Sequence, residues 1–200
     1  MKKTKKRAAF DSGFEKKKLP LSLIDTDSVM SDFEKKDLKN RAAYFMLNGS
    51  PEFSVNEKED GRFTLLGGDL DFYAAKYSGI RECEARVYRF NEKNAEIFSI
   101  IEKIKEADGA MEEAYLMKRL IDDYAFKQED IAALIGKSRP AVANTLRLLN
   151  LVPEVIGLVE SAQISAGHAR TLVKVPKEQQ LVFAQEAIKG NIRCGKWNGR

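Results

Sequence analysis

Apolar positions recur along this chain with two different periods, and the change between them divides it. Before about residue 90 the pattern is short and mixed. Leu19-Pro20-Leu21-Ser22-Leu23-Ile24 predicts a short edge strand, with a proline near its start where a missing N–H is tolerated. Residues 32–47 have helical spacing, with Phe33, Leu38, Ala42, Phe45 and Met46 on the buried side. Asn48-Gly49-Ser50-Pro51 is turn chemistry. Phe53-Ser54-Val55 and residues 62–66 then predict strands, joined by a polar loop over 56–61. Asp69–Tyr77 predicts a short helix ending near Gly79, and alternation over residues 83–88 predicts another strand. From Asn91 onward only the helical period remains, first in Ala95, Phe98, Ile101 and Ile104, then in Ala114, Met117, Leu120, Ile121 and Tyr124. The class is α+β: a small mixed domain over 19–90, then an all-helical domain over 91–190. No internal repeat is found, and residues 191–200 lack periodicity and read as a frayed or truncated end.

Charge changes this picture little. The net +4 is concentrated at the N-terminus, where residues 1–18 hold eight of the 34 Lys/Arg and only two of the 30 Asp/Glu. That segment is +6 and the rest of the chain −2, so the sequence predicts a near-neutral body with a basic disordered tail. Such a tail adds weak, salt-sensitive DNA affinity or meets an acidic partner. No apolar run nears the ~18 residues of a membrane span, and no apolar signal core follows the basic start. The expectation is a cytoplasmic protein with no membrane partner. Cys83 and Cys194 lie far apart and His168 is the one histidine, which argues against a structural zinc site and for two reduced thiols. No clustered His/Asp/Glu set supports a metal, a nuclease or another hydrolase, and no catalytic residue is nominated.

The informative segment spans residues 127–150. Two short helices that cross steeply need a small residue at their contact, which Ala132 supplies, and a left-handed residue at the turn, which Gly136 supplies. Ile131, Ile135 and Val142 form the apolar wedge, Ser138 caps the second helix, and Pro140 is tolerated in its first turn. Thr145 stands where an aliphatic residue is expected. An ordinary helical hairpin would satisfy the turn alone; spacing, cap and polar outer face together favour a helix-turn-helix. In that reading the second helix enters a major groove. Arg139, Ala141, Asn144 and Thr145 are its base-edge candidates, since Arg suits guanine, Asn suits adenine and small residues meet a thymine methyl. Lys137, Ser138 and Arg147 are assigned to phosphates, and Gln128 joins the DNA-binding set.

Lys137-Ser138-Arg139-Pro140-Ala141-Val142-Ala143-Asn144-Thr145-Leu146-Arg147-Leu148-Leu149, followed by Ile164-Ser165-Ala166-Gly167-His168-Ala169-Arg170, resembles the ParB family of partition proteins. The likeness covers residues 19–190, strongly over 113–175. Alone, His168 reads as a structural histidine at a helix start. The resemblance implies instead that Gly167, His168 and Arg170 lie beside the recognition helix and help contact a centromere-like DNA site.

The resemblance also implies a front domain that binds CTP and closes a DNA-clamping dimer. The family's Gly-Glu-Arg-Arg-x-Arg box corresponds here to Gly68-Asp69-Leu70-Asp71-Phe72-Tyr73, with Leu70, Asp71 and Tyr73 in place of the arginines. A second box, Glu-Asn-x-Gln-Arg, aligns with Glu102-Lys103-Ile104-Lys105-Glu106, where Lys103 replaces Asn and Glu106 replaces Arg. The arginine expected before the first helix is not evident around residues 27–32. A triphosphate needs cations, backbone donors or magnesium, and Asp71 and Glu106 repel it, with Lys103 and Lys105 offering partial compensation. No cofactor is therefore expected, CTP with Mg being the disfavoured alternative, while the apolar pattern (Phe63, Leu65, Leu66, Ala74, Ala75, Ile80, Val87) keeps the fold.

The leading expectation is a homodimer reading a palindromic site in double-stranded DNA for partition, nucleoid- or plasmid-associated, without nucleotide turnover. Its basic tail would engage a ParA-type ATPase, on family analogy alone. The alternatives are a CTP-hydrolysing clamp and a transcriptional repressor using the same reading head.

Overall fold

The structure is a computed structural model that describes residue 10, residues 13–29 and residues 34–190. Strict alternation over Glu82–Tyr88 places Cys83, Ala85 and Val87 inward and Glu82, Glu84 and Arg86 outward, and this strand (β5) organises the sheet. The others are β1 (Glu15–Pro20), β2 (Ile24–Asp25), β3 (Phe53–Glu57) and β4 (Phe63–Leu65), in the order β1-β5-β3-β4-β2. β5 runs antiparallel to β1 and parallel to β3, while β4 is antiparallel to β3 and parallel to β2. Helices α1 (Lys35–Asn48) and α2 (Asp69–Tyr77) lay Leu38, Phe45, Phe72, Ala74 and Ala75 into one core with Phe53, Val55, Phe63 and Leu65. At the far end of β5, Tyr88, Phe90 and Phe98 gather with ring centroids 4.8 to 5.3 Å apart, and Phe10 and Phe14 join them.

Helix α3 (Glu92–Glu106) buries Ile97, Ile100, Ile101 and Ile104. The chain divides after it, into units Met1–Glu106 and Ala107–Arg200, whereas the sequence reading drew that line at residue 90. The second unit is helical: α4 (Ala110–Asp122), α5 (Gln128–Ile135), α6 (Arg139–Leu146), a 3₁₀ turn (Arg147–Asn150), α7 (Pro153–Glu160), α8 (Ala166–Leu172) and α9 (Lys177–Ile188). Gln180 is 2% exposed, and its amide spans this core, accepting from the Val152 N–H at 2.9 Å and donating to the Val175 carbonyl at 3.1 Å.

Three expectations need correction. Residues 15–18 are not tail but part of β1, because all four pair with β5, from Glu15 opposite Val87 to Lys18 opposite Glu84. Lys16, Lys17 and Lys18 also reach Glu52, Glu57 and Glu82 at 2.8, 3.8 and 2.7 Å. The strand foreseen over 19–24 ends at Pro20, and Leu21–Leu23 turns as a 3₁₀ helix before β2. Met46 is 72% exposed, since Leu38, Ala42 and Phe45 already fill the inward stripe of α1. Residues 1–9, Asp32, Phe33 and the 191–200 end lie outside the described residues.

Candidate nucleic-acid interface

Helix α5 starts with the Lys127 N–H donating to Asp130 Oδ2 at 3.3 Å, which satisfies one of the first-turn donors. It ends where Gly136 takes φ 71°, and the N–H groups of Gly136 and Lys137 both reach the Ala132 carbonyl. Two residues on, Ser138 Oγ accepts from the Ala141 N–H at 3.3 Å and caps α6, with Pro140 in its first turn. Ile131 and Val142 are fully buried and form the wedge, Ala132 is 5% exposed, and Ile135 is only half-buried.

The inner stripe of α6 is Val142 and Thr145, and Leu148 continues it into the 3₁₀ turn. Thr145, expected to meet a base edge, is 7% exposed and packs inside. The cause is spacing: Val142 and Thr145 lie three apart on one helical face, where an aliphatic residue is expected, and Leu148 continues that face into the 3₁₀ turn. Ala141 is half-buried. On the outer side Arg139, Asn144, Arg147 and Asn150 are exposed and, with Gln128 and Pro140, line an open concavity of about 480 Å³. Asn150 is absent from the sequence reading, although it follows Arg147 at the same three-residue step that links Asn144 to Arg147. Lys137 is exposed but paired with Glu113 at 2.8 Å, and the Ser138 hydroxyl serves the cap.

The Gly-His-Ala-Arg block opens α8. Ser165 Oγ accepts from the His168 N–H at 3.3 Å and lies 2.9 Å from the ring Nδ1, which ties the imidazole to the cap. Gly167 and His168 are half-buried and Arg170 is exposed. Ala169 and Leu172 sit in the core that also holds Leu148, Leu151 and Val155, so this block and the end of the recognition helix share one foundation.

The β4–α2 loop gathers the residues of the first nucleotide-box segment. Gly68 has φ 81°, and its N–H, at the start of α2, donates to Glu106 Oε2 at 3.0 Å. Desolvation raises this carboxyl above the ordinary range, and Glu102, Asp69 and Asp71 raise it further, while the bond to Gly68 pulls it down. Asp69 accepts from the Thr26 hydroxyl, and the Tyr73 hydroxyl donates to the Ser28 carbonyl. Arg41 Nε lies 2.5 Å from Asp71 Oδ1, an ionic approach outside hydrogen-bonding geometry. Leu70 packs at the edge of the sheet core. Lys105 pairs with Glu102 at 2.6 Å, and Lys103 is exposed. The loop thus uses its box side chains to tie down residues 26–28 and α1, and Glu106 takes the helix-start N–H that suits an anion. These box positions offer a triphosphate no arginine, and the Gly68 N–H is already taken. Among the described residues no group of three or more His, Cys, Asp or Glu could hold a metal ion, and no helix is long and apolar enough to cross a membrane.

A family model described as the ParB HTH domain matches residues 106–198. The chain is 32% identical over 167 residues to the chromosome-partitioning protein ParB of Myxococcus xanthus, covering 82% of this chain and 56% of that protein. It is also 32% identical over 182 residues to the probable chromosome-partitioning protein ParB of Coxiella burnetii, covering 90% and 63%. The chain therefore spans less than two thirds of either relative's length. Among solved structures it resembles the C-terminally truncated chromosome-partitioning protein ParB from Caulobacter crescentus complexed to the centromeric parS site. The TM-score is 0.73 at 28% identity, over 89% of this chain and 94% of that one.

Proposed function

The chain belongs to the ParB family, and from that premise we propose that it reads a palindromic, centromere-like site in double-stranded DNA as a homodimer, for partition, without turning over a nucleotide. One observation carries this reading. Beyond the Gly136 turn, the capped helix Arg139–Leu146 and its 3₁₀ extension hold Arg139, Asn144, Arg147 and Asn150 around an open, polar concavity. A helix of this kind, anchored by Val142, Thr145 and Leu148, inserts into a major groove as a rigid rod. Arg139 meets a base edge, and Arg170 on α8 supports from the phosphate side. Each subunit covers one half-site. The N-terminal basic residues engage a partner ATPase of the ParA type, and the protein resides in the cytoplasm on nucleoid or plasmid DNA.

The part without nucleotide is supported by Glu106 on the Gly68 N–H and by the acids Asp69 and Asp71 beside it. Competition binding at fixed salt tests the DNA reading, with a selected palindrome against a scrambled duplex. The palindrome should win by at least 10³-fold, and Arg139→Ala should cost it about tenfold or more while leaving the scrambled duplex nearly unchanged. Equal affinity for both duplexes would end the proposal. Calorimetric titration with CTP, with and without the palindrome, should give no saturable heat; clear saturation would restore the nucleotide clamp.

A further inference from the structure

Arg147 does not face the groove alone. Its Nη1 donates to Asn144 Oδ1 at 2.9 Å, across the join between α6 and the 3₁₀ turn. A guanidinium carries donors only, so the amide can meet it only through oxygen. That contact sets which way the amide lies: Oδ1 toward Arg147, and the two N–H donors of Nδ2 away from it. Both side chains are exposed, and both line the concavity that holds Gln128 and Arg139. An asparagine that reads adenine uses both ends of its amide, accepting from N6 and donating to N7. Arg147 takes one of the two lone pairs of Oδ1 and holds a cation beside the other, which disfavours the amino donor of adenine. The end left for a base is a donor. Donors match the O6 and N7 of guanine or the O4 of thymine.

Resting on the DNA reading above, we propose that Arg147 is a positioning residue for sequence recognition. It orients the Asn144 amide as a donor, and Asn144 therefore selects an acceptor edge, guanine or thymine, and rejects adenine's paired donor and acceptor. Arg147, assigned to phosphate by sequence, acts on specificity through its neighbour. The pair also lengthens the row of N–H donors that begins with Arg139.

The test is selection from a random duplex library with the full chain. Affinities for every single-base change in the selected half-site then follow, at fixed salt, for wild type, Asn144→Ala, Arg147→Ala and the double variant. Both substitutions fall on exposed side chains, so the helix is expected to survive. At one position per half-site, wild type should prefer guanine or thymine by about tenfold over adenine. Asn144→Ala and Arg147→Ala should each flatten that preference at the same position, and the double variant should add nothing further. Arg147→Ala should newly accept adenine there. The proposal is overturned if Arg147→Ala weakens all sequences alike and lowers the salt slope by about one, the signature of a phosphate contact. It is equally overturned if the base that depends on Asn144 is adenine in wild type. A wild-type chain that selects no sequence removes the DNA reading itself, a failure visible before any variant is compared.

Discussion

Two residues where α3 meets the β4–α2 loop show how single positions decide what a fold can hold. Gly67 lets α3 come close, because a Cβ there would lie 2.8 Å from Glu102 Cβ. Neither atom can swing aside without moving backbone. Gly67→Ala is expected to push α3 off the loop and cost about 1–3 kcal/mol, read from urea unfolding. Glu106 as a residue is exposed, yet its carboxyl end is tucked against Gly68 and titrates above its ordinary range. The folded chain thus holds this proton more tightly than the unfolded chain does. That contribution is complete below the ordinary glutamate range and is lost as pH rises through the raised value. Glu106→Gln keeps an acceptor for the Gly68 N–H and has no charge to lose. The variant should therefore be more stable than wild type at pH 7, by less than ~1 kcal/mol because solvent screens the site. The advantage should vanish near about pH 4, and urea midpoints at the two pH values check both parts.

The helix-turn-helix was legible at the level of the element, because each of its parts rests on a local rule. A glycine at φ 71° ends α5, a serine begins α6, and small and branched residues fill the crossing. Ser138→Ala should cost about 1 kcal/mol by thermal unfolding, together with part of the DNA affinity, since the N-terminal turn of α6 carries Arg139. Thr145 was less legible. Its place in the apolar stripe marks it as inward while its hydroxyl suits a base contact, and packing of the Val142–Thr145–Leu148 face decides for burial. Residues 15–18 mislead for a related reason. Lys16-Lys17-Lys18 looks like tail chemistry, and only pairing with the sequence-distant β5, with acids set alongside, makes it a strand.

On the scale of the whole molecule, the chain is two compact units that meet in sequence at Glu106 and Ala107. Each has its own core, one built on the sheet and the other around Leu148, Val155 and Ala169. Separate cores should melt separately. Calorimetry is expected to resolve two transitions, with Phe72→Ala lowering one and Val155→Ala the other. A single transition shifted alike by both substitutions would contradict this. For recognition, a dimer covers both halves of a palindrome, so a duplex with one half-site scrambled should bind at least 100-fold more weakly than the intact site in a gel-shift titration.

Periodicity, turn residues and caps act between neighbours in the chain, and so the α+β class, the Asp69–Tyr77 helix and the Gly136 turn could be read directly from residue order. The missing arginines of the box could be read in the same way. What replaces them could not. That Glu106 reaches the Gly68 N–H, that Asp71 meets Arg41, and that Gln180 reaches the Val152 N–H are pairings between groups distant in sequence. The same is true of the acids that hold Lys16 and Lys18. Local free energies select the elements, but which polar groups end as partners depends on where packing brings those elements together.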